Sequence, residues 1–278
     1  MHQLILDEAT ALEAWGTMVR ANREQAERLR ESPPGDDFYA PVASAFKADP
    51  HRTDEEALDA LRSLVEPGDT WLDIGAGGGR YALPLALAAS QVIAVEPSEG
   101  MRTILRESMA EHGIGNVSIV EKRWPAAGAP RADAVLLAHV GYDVEEIGPF
   151  LEAMEQAAGR ICVAFLMGEA PASVAKGYWP RIHGEERALL PALPEFIALQ
   201  LARGRLVDVR TVGARGRGFY PDVETAQRFL RQQLFIEPGG TKDERLHEIL
   251  EASMTAEGIP VNARPVPIAM VTWQPREG

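Results

Sequence analysis

The sequence predicts an α/β protein built on a doubly wound, mostly parallel sheet with helices on both faces and an N-terminal helical cap. Three observations carry this. An apolar strand at Trp71–Ile74 runs directly into a glycine cluster at Gly75–Gly79. Short apolar, β-branched runs then alternate with helical patterns, as strands buried on both faces of a parallel sheet do. The second of these runs ends in an acid, Glu96, about 20 residues past the glycine turn, where a nucleotide ribose presents its hydroxyls to an acceptor.

Residues 1–66 precede the glycine turn and read as the cap. Asp7 or Thr10 can start a helix in which Leu12, Trp15, Val19, Ala26 and Leu29 form one apolar stripe, stopped before Ser32-Pro33-Pro34-Gly35. An aromatic loop follows with Phe38, Tyr39 and Phe46, readable as packing between cap and sheet. Thr53-x-x-Glu56 is a capping-box pattern ahead of Ala57, Leu58, Leu61 and Leu64, and Pro67-Gly68-Asp69 ends that helix.

The glycine cluster separates two ligand classes. A dinucleotide turn is Gly-x-Gly-x-x-Gly. Reading from Gly75 places Arg80 where the third glycine belongs, which disfavours a dinucleotide oxidoreductase. The spacing is instead Asp73-x-Gly75-x-Gly77-x-Gly79. Here the chain resembles the class I S-adenosylmethionine-dependent methyltransferases, whose first motif is an acid followed by alternating glycines in a strand, loop and helix. The resemblance spans residues 70–275 and implies a seven-stranded Rossmann-like sheet with S-adenosyl-L-methionine as cofactor.

The strand Gln91–Glu96 supplies the second motif. By resemblance, Glu96 binds the cofactor ribose, and Pro97, Ser98 and Met101 border the adenine. The third strand, Asn116–Glu121, follows a Gly113–Gly115 helix stop and leads to Arg123 and Trp124, where the family places an adenine contact, although a tryptophan beside a proline is more often a packing residue. The fourth strand, Ala132–Val140, holds His139 at its end, where residues face the methyl donor or the acceptor. The resemblance thus assigns Asp73, Gly75, Ala76, Gly77, Gly79, Glu96, Pro97, Met101, Arg123, Trp124 and His139 to the cofactor.

Absences narrow the chemistry. The fourth strand is followed by Gly141-Tyr142-Asp143 and lacks the Asn/Asp-Pro-Pro-aromatic motif that marks amino-group methylation in this family. Pyrimidine carbon-5 methylation needs a cysteine nucleophile. The single cysteine, Cys162, sits in the apolar fifth strand, where it reads as a core residue. No metal-ligating pattern is present.

Beyond the fifth strand an insertion at 170–205 carries Tyr178, Trp179 and His183 among polar residues. Loops at the carboxyl ends of parallel strands mount substrate groups. His139 and His183 are therefore the candidate general bases, and Tyr39, Phe46, Tyr142 and Trp179 the candidate substrate contacts. A helix near 194–203, a strand near 206–213, helices near 223–234 and 242–257 and a strand at 266–273 complete the sheet with an antiparallel pair.

Composition sets the outer bounds. The 278 residues are 46% hydrophobic, enough for one large domain, 67–278, with the cap. One cysteine, no signal-like leader and no long apolar run favour a cytoplasmic protein without a membrane span. A net charge of −13, from 28 basic and 41 acidic residues, opposes a phosphate-rich partner, and the densest basic stretch, Arg203–Arg217, lacks stacking aromatics. The expectation is methyl transfer to a small-molecule acceptor, with nucleic acid disfavoured and oligomeric state open. An RNA or protein methyltransferase and a non-catalytic S-adenosylmethionine binder remain as alternatives.

Overall fold

The computed structural model describes residues 7–31, 37, 40–125, 128, 130–215, 219–260 and 264–276. Five parallel strands form most of one sheet: β1 (Thr70–Ile74), β2 (Gln91–Val95), β3 (Val117–Val120), β4 (Ala132–Ala138) and β5 (Ala158–Met167). β6 (Asp208–Arg215) and β9 (Val266–Trp273) complete it in the order β3-β2-β1-β4-β5-β9-β6, with β9 antiparallel to both neighbours. β6 thus points the same way as β5. A two-stranded ribbon, β7 (Phe219–Tyr220) with β8 (Ile259–Pro260), stands apart.

Strand residues alternate between two cores, as the period of two requires. Leu72, Ile74, Cys162, Ala164 and Leu166 face a layer made by α1 (Glu8–Leu29), α5 (Ile147–Ala157) and α7 (Leu193–Ala202). Trp71, Val163 and Phe165 face α2 (Glu56–Arg62), α3 (Ala82–Ala86) and α4 (Glu99–His112). The first 66 residues therefore divide between the two faces, α1 on one and α2 on the other. Cys162 is fully buried in the core, and burial pushes its thiol far above the usual range.

Local signals explain most boundaries. The Asp7 carboxylate caps α1 by accepting from the Thr10 N–H at 2.9 Å, and Gly113, at φ +65°, closes α4. The capping box at Thr53 does not form. Asp54 turns to φ +61°, Glu55 becomes the N-cap, and its carboxylate is drawn off by Arg52 at 2.6 Å and Arg80 at 2.8 Å. The last long helix, α9 (Thr241–Ala252), stops short of residue 257 because Thr255 and Gly258 pair in a tight turn.

A third core stands at the carboxyl edge of the sheet. The chain leaves that edge after β5 and again after β6. It builds α6 (Trp179–His183), α8 (Val223–Leu234) and α9 there, and returns to the same edge at β9. Trp179, Ile182, Leu230, Leu234, Leu246 and Leu250 are the buried centre of this subdomain. α1 joins the levels: Glu8 lies 3.6 Å from Arg203 at the far end of α7, the Trp15 indole donates to the Val144 carbonyl at 2.9 Å, and Leu29 packs into the third core. The insertion expected at 170–205 is thus split. Its first part enters the third core, while Phe196 and Leu199 of α7 belong to the sheet layer.

Under α7 a buried carboxylate holds the layers together. Glu155 accepts from Arg203 Nη1 at 3.0 Å, Arg205 Nε at 2.9 Å and Trp273 Nε1 at 3.2 Å. Arg203 and Arg205, part of the basic stretch in the sequence, are therefore consumed internally. Glu155→Gln removes the buried counter-charge of both cations and should lower the free energy of unfolding by about 3 kcal/mol. Urea denaturation would read this as a lower midpoint with unchanged slope.

Candidate active site

The glycine turn sits where β1 ends, beside β2 and β4. The Gly75 and Ala76 N–H groups donate to the Val95 carbonyl at 2.8 and 3.2 Å, so the turn folds onto the end of β2. Gly75, at φ +72°, lies so near Val140 that a Cβ would meet its Cγ2 at 2.7 Å, and Gly79, at φ +89°, leaves 2.6 Å to Leu105. Both need glycine for backbone angle and for space. The cradle is open at Gly77, where the nearest atom to an added Cβ would be Met101 Sδ at 3.9 Å. Arg80, in place of a third glycine, pairs with Glu55.

Two carboxylates flank this turn. Glu96 is 6% exposed and accepts from the Gly77 N–H and the Ser98 N–H, each at 2.8 Å; burial raises its carboxyl above the ordinary range despite these bonds. Asp73 is 2% exposed, and its Oδ1 has no hydrogen-bond partner. Burial, and secondarily the nearby Glu96 charge, push it up to about 7. A buried acceptor without a donor is costly, and the mutual repulsion of two close carboxylates adds to that cost. The pair is therefore suited to a ligand that brings positive charge and hydrogen-bond donors.

Around them, Met101 is buried on the first turn of α4 and its N–H donates to Ser98 Oγ at 3.1 Å, while Pro97 is exposed beside it. Sequence reasoning missed Asp37. Its Oδ2 accepts from Ser98 Oγ at 2.8 Å and the Gly100 N–H at 3.1 Å, tying the segment after α1 to the start of α4. No periodic pattern in the loop could have shown that contact. His139 follows β4 at φ +57°, with Tyr81 Oη 3.4 Å from its Nε2 and the Tyr81 ring stacked on Phe165. Phe46, 43% exposed, ends a 3-10 turn (Ala40–Phe46), and its carbonyl is 3.0 Å from where a Cβ on Gly78 would stand.

Other sequence candidates lie elsewhere. Trp124 is buried, and its indole N–H donates to the Phe150 carbonyl at 3.1 Å, which makes it part of the core; Arg123 is exposed next to it. The Tyr142 hydroxyl accepts the Met167 N–H at 2.8 Å and is held far above its usual pKa by burial, so it fastens β5. Trp179 is fully buried under Arg187. His183 packs on Trp179 at 4.4 Å between ring centroids, with its Nε2 2.9 Å from the Leu234 carbonyl, and burial lowers its pKa. Trp179 belongs to the third core and His183 is packed on it, so both serve that subdomain rather than the surroundings of the glycine turn. Tyr39 lies outside the described residues. No group of three or more metal-ligating side chains occurs among the described residues.

The sheet order, the alternating-glycine turn after β1 and the acid closing β2 define a class I, Rossmann-like methyltransferase fold. Residues 72–158 match the family model of a methyltransferase domain. A mitochondrial ribosomal RNA small subunit methyltransferase of Arabidopsis thaliana is 34% identical over 95 residues, 33% of this chain and 25% of that protein. Ribosomal RNA small subunit methyltransferase G of Neisseria gonorrhoeae is 34% identical over 82 residues, 28% of this chain and 40% of that protein. The chain thus spans between a quarter and two fifths of these relatives. In fold it is similar to an S-adenosylmethionine-dependent methyltransferase of Thiobacillus denitrificans solved with S-adenosyl-L-homocysteine, at a TM-score of 0.51 and 16% identity, covering 86% of this chain and 98% of that one.

These relatives overturn one expectation. Net charge sets nucleic acid aside in favour of a small-molecule acceptor, yet several of the matching curated sequences, among them the two above, are named for ribosomal RNA. The charge of −13 is a sum over the whole chain and does not describe the field at one face. No described helix is long and apolar enough to cross a membrane.

Burial of Asp73 makes stability depend on pH. Its pKa is raised on folding, so the folded protein binds the extra proton between about pH 4 and 7, and stability falls as pH rises through that window. At 1.36 kcal/mol per unit the penalty reaches about 4 kcal/mol above pH 7 as an upper bound. Asp73→Asn should therefore flatten the dependence and stabilise the ligand-free protein more at pH 8 than at pH 5. Thermal unfolding of both proteins across about pH 4.5–8.5 reads it; parallel curves would contradict it.

Proposed function

We propose that this protein is an S-adenosylmethionine-dependent methyltransferase acting on RNA. The first half rests on the carboxylate pair at the glycine turn, with Asp73 Oδ1 buried and unpartnered, a site short of positive charge. S-adenosylmethionine carries a sulfonium and an ammonium group. Its fit is further supported by the cradle at Gly77, where nothing but Met101 Sδ approaches. The relatives named for ribosomal RNA support the second half.

In this reading Glu96 accepts the ribose hydroxyls, Met101 and Pro97 border the adenine, and Gly75, Ala76, Gly77 and Gly79 form the turn against which the cofactor lies. When bound, the cofactor supplies a methyl group already activated on sulfur. The acceptor nucleophile would receive that methyl group in line and would give up a proton. His139 Nε2, steadied by Tyr81 Oη at 3.4 Å, is the group at the end of β4 able to take that proton. The domain otherwise contributes alignment and exclusion of water. The acceptor platform is the third core at the carboxyl edge, built from the end of α1 and the excursions after β5 and β6.

Glu96→Ala should cost about 1.5–3 kcal/mol of cofactor affinity, the range for hydrogen bonds to charged groups. Calorimetry with S-adenosylmethionine, S-adenosylhomocysteine and NAD reads both the loss and the class. Binding of NAD alone would overturn the cofactor reading, and a lack of methyl transfer to ribosomal RNA from labelled S-adenosylmethionine would overturn the acceptor reading.

A further inference from the structure

Many arginines of this acidic protein are matched to carboxylates. Arg20 and Arg23 meet Glu145, Arg52 meets Glu55, Arg160 meets Asp69 and Arg231 meets Asp243. On the third core Arg181, Arg228, Arg245, Arg30 and Arg187 have no ion pair among the described residues; the first three are exposed, and only Arg30 and Arg187 are half-buried. Arg187 donates to neutral amides, Gln25 Oε1 at 3.2 Å and Asn22 Oδ1 at 3.1 Å, and its guanidinium lies 3.9 Å from the Trp179 ring centroid and 5.7 Å from that of Phe235. Arg30 lies 5.0 Å from the same Phe235 centroid, with its Nε buried and without a hydrogen-bond partner. Both residues are half-buried, neither has an ion pair among the described residues, and burial lowers Arg187 to about 10.

Two cations against one ring repel each other, and contact with an aromatic face offsets only part of the desolvation. The surrounding acids do not relieve this, since Glu185 is bound by Arg28 at 2.6 Å and Glu31 by Lys242 at 3.4 Å and the Glu237 N–H at 2.9 Å. His183, next in the cluster, is pushed toward its neutral form first by burial and further by Lys242 and Arg187. Planar guanidinium forks held on aromatic faces suit a bidentate oxyanion. The cluster joins the C-terminal end of α1, the segment after β5 and the loop after α8, all at the edge where the glycine turn opens.

We propose that Arg30 and Arg187, set against Phe235 without carboxylate partners among the described residues, form a binding site for phosphate groups of the acceptor. The site itself rests on two half-buried cations on aromatic rings with no ion pair among the described residues; only the identification of its ligand as an RNA phosphodiester rests on the proposed function. Such a local site also reconciles an RNA acceptor with a strongly acidic chain, because two contacts in a desolvated cluster act at short range while the remaining field is screened within about 8–10 Å.

The test is binding of a labelled single-stranded RNA oligonucleotide across a salt series, beside stabilisation of the protein by inorganic phosphate. Arg30→Gln/Arg187→Gln should weaken RNA binding about tenfold or more and lower the slope of log affinity against log salt by about 1.4, at about 0.7 per single-strand phosphate. It should also abolish the stabilisation by phosphate. Arg30→Gln alone, which removes no described side-chain hydrogen bond, should lower the slope by about 0.7 and keeps the test readable if the double variant does not fold. Phosphate stabilisation of the wild type that is lost in the variant, without RNA binding, upholds the site and removes RNA as its source. Unchanged affinity and slope in a folded variant, or a wild type that binds neither ligand, overturns the site. S-adenosylmethionine titrated in the same samples reports separately on the methyltransferase reading.

Discussion

The rest of the site depends on one electrostatic constraint: two buried carboxylates, Asp73 and Glu96, brought together at the adjoining ends of β1 and β2. Parallel pairing sets their proximity, since Asp73 and Ile74 lie opposite Ala94 and Val95, and Glu96 follows at once. The glycine turn then wraps between them, with the Gly77 N–H donating to Glu96 and the Gly75 N–H fastening the turn to β2. Glu96 is eased by two backbone donors, whereas Asp73 has an oxygen with none. The sheet's packing on both faces holds this arrangement in place, and in the proposed function a cationic nucleoside would resolve it.

The second determinant is topological. Because β6 runs parallel to β5 and β9 returns beside them, two long excursions leave at the edge where the glycine turn opens; the first crosses back through α7 to the start of β6, and the second re-enters at that same edge at β9. They fold together with the end of α1 into a separate apolar core. The proposed cofactor site thus lies in the regular part of the chain, which the family model matches, and the proposed acceptor platform lies largely beyond it.

The sequence is legible where local chemistry alone decides the structure. The strands Gln91–Val95 and Val266–Trp273 and the helix Val223–Leu234 stand where their apolar patterns place them. Asp73 and Glu96 are readable because each sits at the end of such a strand. Long-range competition makes the rest opaque. Arg52 and Arg80 draw Glu55 into the start of α2 in place of the Thr53 capping box, the Met167 backbone claims Tyr142, and the Phe150 carbonyl claims Trp124. Trp179 and His183 sit in a polar-looking segment whose apolar partners, Leu230 and Leu246, lie far along the chain. Asp37 is tied to Ser98 by a contact between residues 61 positions apart, which no local pattern encodes.

With its carboxyl pushed up to about 7, Asp73 is largely protonated at pH 6 and should give up that proton when the cationic cofactor enters. Calorimetry of S-adenosylmethionine binding in buffers of different ionisation enthalpy measures that proton directly. Release of about one proton per site is expected near pH 6, fading above about pH 8 where Asp73 is already ionised, and none in Asp73→Asn. Binding at pH 6 with no proton released would contradict this picture of the site.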